Sequence, residues 1–389
     1  MASAPEHYLR DIVSHFQLGG RLLDVAPCGT GHINDTYASR FQTDQGVARY
    51  IHQRLNPNVF REPEKVMENI ERVTRHARER VIASGGDPQR ETLNLVSTVD
   101  GKSFYRPPEG DIWRTYLFID GCRTYDQVED VRHVYSAANA FGNFQRLLSG
   151  LPGKRLHETI SNFHHTRKRF DAFVQALEND VKNRAASVKA EIDFILKREA
   201  DVSVVVDMLA QGRLPERVTH NDAKLNNVLI DERTGQGVCV IDLDTVMPGS
   251  ALYDFGDLAR TGGSAALEDE PDLSKVRLDL DMFERLAHGY LDATRDTLTP
   301  TEIDYLPFGA KLITLEQAIR FLGDHLNGDV YYKVHRQNHN LDRARTQIKL
   351  VAEIERYMDQ MRIMVDLSIT HIFFEPPHAA VLRSEIRRV

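Results

Sequence analysis

The residues of this chain best suited to chemistry lie between positions 218 and 246, in the string VTHNDAKLNNVLIDERTGQGVCVIDLDTV. One short loop carries His220, Asp222, Lys224 and Asn227, and an aspartate pair, Asp242 and Asp244, follows downstream. Residues 228–230 and 238–241 are short apolar runs of β type, separated by a polar turn with Gly235 and Gly237, so they should pair antiparallel and return Asp242 to the loop. Phosphoryl transfer needs a carboxylate to orient the attacking hydroxyl, and hard oxygen ligands to hold Mg²⁺ on the β- and γ-phosphates. Asp222 is the expected acceptor of the hydroxyl proton, and Lys224 the expected counter-charge to the γ-phosphate. Asn227 and Asp242, joined by Asp244, are the expected metal ligands.

Taken singly, each of these residues would more simply stabilise a turn or sit as a solvated loop charge. Their joint spacing, followed by an apolar hairpin ending in Asp-Leu-Asp, is what points to catalysis. The order of an Asp, an Asn and then a metal-binding Asp is that of protein kinases. A literal Asp-Phe-Gly also occurs at 254–256, but it lies beyond the hairpin, whereas Asp242 ends a strand. Two rival chemistries fit parts of the pattern. Asp242 and Asp244 match the aspartate pair of a haloacid-dehalogenase-type phosphatase, although such a site should follow the first strand of a parallel sheet. A non-catalytic pseudokinase is the other, although a degenerate binder has no chemical need for Asp222, Asn227 and Asp242 together.

The elements that must position these groups are legible in outline. Cys28 to Tyr37, reading CGTGHINDTY, precedes an expected strand, and Gly29, Thr30 and Gly31 suit a loop whose amides approach phosphate oxygens. Asn34 stands where a full kinase-type loop would carry a third glycine. The next strand, 50–55, has no lysine for the phosphates; Arg54 is a candidate donor, and Gln53, on the opposite strand face, is the alternative. Pro63 opens an expected helix to position 83 with Val66, Ile70, Val73, Ala77 and Val81 on one face, while Glu64, Glu68 and Glu71 fall on the solvated side. Residues 113–121 read as a last strand running into a hinge. Helices are expected at 131–148, 163–177, 181–209, 280–293, 301–327 and 340–367. Flexible stretches are expected at 264–274 and beyond 374. His164 and His165, adjacent on an expected helix, diverge and make a poor metal pair.

HNDAKLNN and IDLDTVMPG resemble the motifs of the aminoglycoside phosphotransferase and choline kinase superfamily. The longer IDLDTVMPGSALYDFGDLAR, with PCGTGHINDTY, YIHQRLNPNVFREPEKVMENI and EQAIRFLGDHLNGDVYY, is similar to its N-acetylhexosamine 1-kinase branch, so the resemblance spans most of residues 24–350. It implies an α+β, bilobed, protein-kinase-like fold, with a β-rich N-lobe at 1–119 and a mostly helical C-lobe at 120–389. It further implies ATP as co-substrate with Mg²⁺, and an adenine edge met by the backbone of Phe118, Ile119 and Asp120. The reaction implied is phosphorylation of the anomeric hydroxyl of a free N-acetylhexosamine. Another sugar, choline or homoserine remains the alternative acceptor. Arg320 and Asp324 lie one turn apart on a helix, with Tyr331 beyond, and the resemblance turns what would otherwise read as a surface ion pair into a sugar site; His32 and Asn34 are further candidates to face the acceptor.

Composition agrees with a small-molecule enzyme. The 389 residues, 41% hydrophobic, can furnish substantial cores. Fifty-seven acidic against forty-nine basic residues leave a formal charge of −8, which argues against general nucleic-acid or anionic-membrane binding. Cys28, Cys122 and Cys239 are odd in number and far apart, which suits a reducing cytoplasm. The N-terminus lacks a basic and apolar leader, and no apolar run approaches the roughly eighteen residues of a membrane span, so neither secretion nor a span is expected.

Overall fold

The computed structural model describes residues 5–29, 33–108, 110–128 and 130–369. Its N-terminal body is built on alternation. Along the second strand Tyr37, Ser39 and Phe41 are buried while Arg40 and Gln42 face water. Helix α1 (Glu6–Ser14) is followed by β1 (Arg21–Pro27), β2 (Asp35–Thr43), β3 (Gly46–Arg54), α2 (Pro63–Ala83) and β4 (Trp113–Leu117). The four strands form one antiparallel sheet in the order β1-β2-β3-β4. Leu9, Ile12 and Val13 of α1 cover one face, packing with Tyr37, Phe41, Tyr50 and Trp113. The stripe of α2 joins Tyr116 in the main core. The α2 boundaries are those the sequence predicts, with Pro63 in the first turn. Its glutamates pair outward, Glu64 with Arg106, Glu68 with His157 and Glu71 with Arg75.

The larger body is mostly helical. It runs through β5 (Cys122–Arg123), α3 (Val131–Leu148), α4 (Thr166–Asn179), α5 (Lys189–Leu196), α6 (Val204–Ala210), β6 (Arg217–Thr219), β7 (Val228–Asp231), β8 (Gly237–Val240) and β9 (Met247–Gly249). Helices α7 (Ala251–Gly262), α8 (Leu280–Thr294), α9 (Pro300–Asp304), α10 (Leu306–Leu326), α11 (His339–Arg356) and α12 (Met358–Ile369) complete it. The molecule is thus bilobed and α+β. Among the described residues no helix is long and apolar enough to cross a membrane.

Three expected long helices are broken, each for a local reason. The predicted 181–209 helix divides into α5 and α6 with 3₁₀ turns around them; Arg198 folds back to donate to the Phe194 carbonyl at 2.8 Å and stops α5. The predicted 301–327 helix splits at Tyr305, because Thr299 and Glu302 close a capping box on α9 while Pro307 suits only a first turn. Tyr357 separates α11 from α12. The segment expected to be flexible, 264–274, is irregular but tied down by Glu268 to Arg260 and by Asp269 to His339.

Helix α7 has no counterpart in the expected helices. Nearly all its residues are buried, including a polar stripe of Asp254, Asp257 and Arg260 at helical spacing, which is paired inside the protein instead of facing water. It crosses α10 closely: a Cβ on Gly256 would lie 2.4 Å from the Gly309 carbonyl oxygen. Gly256→Ala is therefore expected to push the helices apart at a cost of about 1–3 kcal/mol. Thermal melting of the variant checks this, and an unchanged Tm would show that the crossing has slack.

Candidate active site

The site begins with the hairpin. Strands β7 and β8 pair antiparallel as predicted, with Val228 opposite Val240 and Leu229 opposite Cys239. The Ile241 amide then donates to the Asn227 carbonyl at 2.9 Å, so Asp242 arrives at the loop carrying Asp222. Both turns are tight enough to hold a non-glycine residue in the left-handed region, Asn221 at φ 64° and Asp242 at φ 61°. Such conformations persist only where surroundings over-determine them, and here they do. Asp254 of α7 accepts the amides of His220 at 2.9 Å and Asn221 at 2.7 Å. Thr245 donates to the His220 carbonyl at 2.7 Å, and the Asn221 side-chain amide donates to the Thr245 carbonyl at 3.0 Å. Asp254 thereby commits both oxygens to the loop.

A buried histidine closes the loop from behind. His164 precedes α4 rather than lying in a helix; its Nε2 donates to the Asn221 carbonyl at 2.9 Å and its Nδ1 meets Glu316 at 2.8 Å. Burial disfavours the charged imidazole, but Glu316 outweighs it and pushes the His164 pKa up. Nothing in the sequence linked His164 to Glu316, which is contributed by α10.

The charges at the loop are paired unevenly. Lys224 Nζ lies 2.6 Å from Asp222. Burial works against ionising Asp222, yet Lys224 holds its carboxyl below the usual range, and the same partnership, with help from Asp257, raises Lys224. Asn227 Nδ2 donates to the Asp222 carbonyl at 2.8 Å and to its carboxylate at 3.2 Å, which leaves the Asn227 Oδ1 as an acceptor. Asp242 makes no ion pair or hydrogen bond among the described residues. Its side chain is open to solvent but sits deep between the lobes, and burial, then Asp244 and Asp222, push its carboxyl up to about 6. Asp244, in contrast, is buried, with one oxygen on Arg114 and the other accepting from Asn34.

No group of three or more His, Cys, Asp or Glu side chains among the described residues is arranged to hold a metal. A free carboxylate at Asp242 and a side-chain carbonyl at Asn227 instead make a sparse hard-oxygen set. Such a set fits Mg²⁺, which keeps waters and phosphate oxygens as its remaining ligands.

Of the residues expected to meet the nucleotide, Gly29 has φ 79° and needs glycine for that reason alone. Thr30, Gly31 and His32 lie outside the described residues. Asn34 turns to Asp244 and accepts the Asn56 amide at 3.0 Å, so it bridges the lobes instead of standing open to an acceptor. Arg54 is corrected as a phosphate donor: it points to the other sheet face, into Asp35 and Asp111. Gln53 faces inward, and its side-chain oxygen accepts two bonds from Arg114 at 3.0 and 2.8 Å. In the segment expected to form the hinge, Ile119 is buried, the Phe118 amide donates to the Arg49 carbonyl, and Asp120 pairs with Arg49.

Of the residues expected to meet the acceptor, Arg320 and Asp324 do not pair with each other. Both Asp324 oxygens are used: Oδ1 accepts the amides of Val330 at 3.0 Å and Tyr331 at 2.8 Å, and Oδ2 accepts Tyr332 at 3.0 Å and the Asn340 side chain at 2.9 Å. Asp324 is therefore the organiser of the turn that presents the tyrosines. Arg320 lies over the rings of Phe163, Tyr332 and Tyr331 at 5.3, 5.6 and 6.0 Å and makes no ion pair among the described residues, although Glu316, one turn earlier on α10, helps to hold its charge. Asp257 and Glu268 flank Arg260 at 2.8 and 2.7 Å, a cluster beside Lys224 that the sequence reading missed.

Comparison with known proteins agrees with this geometry. The chain resembles an aminoglycoside phosphotransferase from Alicyclobacillus acidocaldarius subsp. acidocaldarius DSM 446, with a TM-score of 0.58 at 14% identity, covering 94% of this chain and 97% of that one. Amicoumacin kinase hAmiN, solved in complex with AMP-PNP, Ca²⁺ and Ami, superposes with a TM-score of 0.57 at 13% identity over 90% of this chain and 93% of its own. Choline kinase LicA from Streptococcus pneumoniae gives 0.51 at 13%, over 90% and 99%. At such identities the likeness is one of fold. The family model described as phosphotransferase enzyme family, APH, matches residues 24–289, and with the catalytic loop and hairpin inside that span the chain belongs to this phosphotransferase family.

Proposed function

We propose that this chain is an ATP- and Mg²⁺-dependent kinase that phosphorylates the anomeric hydroxyl of a free N-acetylhexosamine, N-acetylglucosamine or N-acetylgalactosamine, to the sugar 1-phosphate. The observation that carries the kinase reading is the Asp222–Lys224 pair at 2.6 Å, set beside Asn227 and an unpaired Asp242. The nucleotide would lie between 1–119 and 120–389, with adenine at the hinge backbone of Phe118 to Asp120. Asp222, kept ionised by Lys224, orients the acceptor hydroxyl and takes its proton as the sugar oxygen bonds to the γ-phosphorus. The bond from that phosphorus to the β,γ-bridging oxygen breaks and ADP leaves. Asp242 and Asn227 would hold the metal, which supplies charge neutralisation on the phosphates.

The acceptor assignment rests on Arg320 and the tyrosine turn, in a segment similar to hexosamine kinases. A guanidinium over three aromatic rings offers donors to sugar or acetamido oxygens while Tyr331 offers a ring face. The same cation disfavours choline, because the ring faces that would cage a quaternary ammonium already carry a positive charge. Arg320→Ala is expected to raise the sugar KM about tenfold or more with little change in the ATP KM, since a lost hydrogen bond to a sugar oxygen costs roughly 1–3 kcal/mol. The deciding experiment is a panel of free sugars and amino alcohols with ATP and Mg²⁺, reading ADP release and product position by NMR. Phosphate found only at a 6-hydroxyl, or on choline and no sugar, would refute the acceptor while sparing the kinase.

A further inference from the structure

A sugar carries hydroxyls that donate as well as oxygens that accept, so a site built for one needs a fixed acceptor beside its donors. Arg320 supplies donors. Asp324, expected to meet the sugar, spends both oxygens on the tyrosine turn. Glu268 stands where an acceptor is then needed. It lies in the irregular segment between α7 and α8, which is fastened on two sides. On one side Arg260 of α7, only 2% exposed, donates to the Glu268 Oε1 at 2.7 Å, and Asp254 on the same helical stripe grips the catalytic loop. On the other side Asp269 accepts from His339 at 2.9 Å, while Asn340, the next residue of α11, holds Asp324 at 2.9 Å. Glu268 is thus carried between the catalytic loop and the tyrosine turn, and its charge acts on both Lys224 and Tyr332. The side chain is 42% exposed, and no hydrogen bond among the described residues uses its Oε2. Burial works against ionising it, yet Arg260 and then Lys224 hold the carboxyl below its usual range. An ammonium would be a poor partner for this carboxylate, because Arg260 already pairs it and Lys224 and Arg343 add positive potential. A neutral hydroxyl suits the remaining oxygen.

We propose that Glu268 is an acceptor-binding residue, whose Oε2 takes a hydrogen bond from the 3-, 4- or 6-hydroxyl of the sugar while Arg320 donates to the sugar's oxygens. The pair selects a small neutral ring that offers a hydroxyl donor and an oxygen acceptor together. Arg260 is the positioning residue, since it aims the carboxylate from the buried side and leaves one oxygen for the ligand. The proposal deepens the N-acetylhexosamine reading above and rests on it.

Glu268→Gln tests this with the shape of the side chain kept, and Asp257 still pairs Arg260 in the variant. With the better of N-acetylglucosamine and N-acetylgalactosamine as acceptor, the variant should raise the sugar KM about tenfold or more and leave the ATP KM roughly unchanged. A merely structural role would weaken every sugar alike, so both enzymes are also compared on the 3-, 4- and 6-deoxy analogues. On the analogue that lacks the hydroxyl read by Glu268, the gap between variant and wild type should close to about twofold or less, and it should persist on the other two. If Glu268→Gln does not fold, Glu268→Asp, which keeps the charge on a shorter stem, should show the same closure. A gap that is equal on all three analogues would overturn the role of Glu268 and leave the acceptor reading standing, as would a wild-type sugar KM in the variant. Failure of wild type to phosphorylate either N-acetylhexosamine would overturn both.

Discussion

Replacing Asp222 by Asn is expected to lower kcat on the order of 10²-fold or more while nucleotide affinity stays nearly unchanged. The argument is geometric first. Asp222 ends the segment held by Asp254, Thr245 and His164, and these contacts grip the backbone of His220 and Asn221 rather than the Asp222 side chain. The amide variant should thus fold with its loop in place. What it loses is the carboxylate that receives the hydroxyl proton, and with it the partner that Lys224 now has at 2.6 Å. Steady-state kinetics paired with calorimetry of nucleotide binding checks the split. Near-wild-type turnover would remove Asp222 from the role of base.

Asp242→Ala should abolish turnover at any Mg²⁺ concentration, because it removes the one carboxylate at the centre without a protein cation. The same feature sets a pH dependence. Burial and the carboxylates of Asp244 and Asp222 place the Asp242 pKa at about 6, so a proton competes with the metal there, and the Mg²⁺ concentration needed for half-maximal rate should rise as pH falls through 6. The stability sign runs the other way. A carboxyl raised in the folded state above its unfolded value of roughly 4 binds more protons folded than unfolded between those values, so metal-free stability falls as pH rises across that window. Above pH 6, without metal, Asp242→Ala should melt higher than wild type. A variant that melts lower, or a Mg²⁺ requirement flat with pH, would contradict the placement of Asp242. If Asp254→Ala instead abolishes turnover by losing the metal while Asp242→Ala is mild, the metal aspartate is the wrong one.

Much of the site was legible in the sequence because its key contacts are local. The catalytic loop, the hairpin and the return of Asp242 depend on pairing between neighbouring strands, and turn residues with alternating apolar runs specify such pairing along the chain. Helix α2 was equally legible, since a stripe with a polar opposite face has a period that can be read. Helix α7 hid for another reason: its polar stripe, Asp254, Asp257 and Arg260, is short and serves buried pairs, and its close crossing with α10 depends on glycines that local propensity counts against a helix.

The sequence by itself therefore determined the phosphotransferase family, the bilobed class and the residues of the loop and hairpin. Tertiary structure decided how the charges are divided. Arg114 and Asp244 stand 130 positions apart, His164 and Glu316 152 apart, and neither pair leaves a spacing signal. Their side chains become partners only when β4 meets the hairpin and α10 packs behind the loop. Folding likewise turned Arg54 away from the cleft and spent both oxygens of Asp324 on a turn. The physical reason is common to all of these: a charged side chain taken out of water must find its counter-charge or donor wherever the fold brings one, and sequence spacing does not record that proximity.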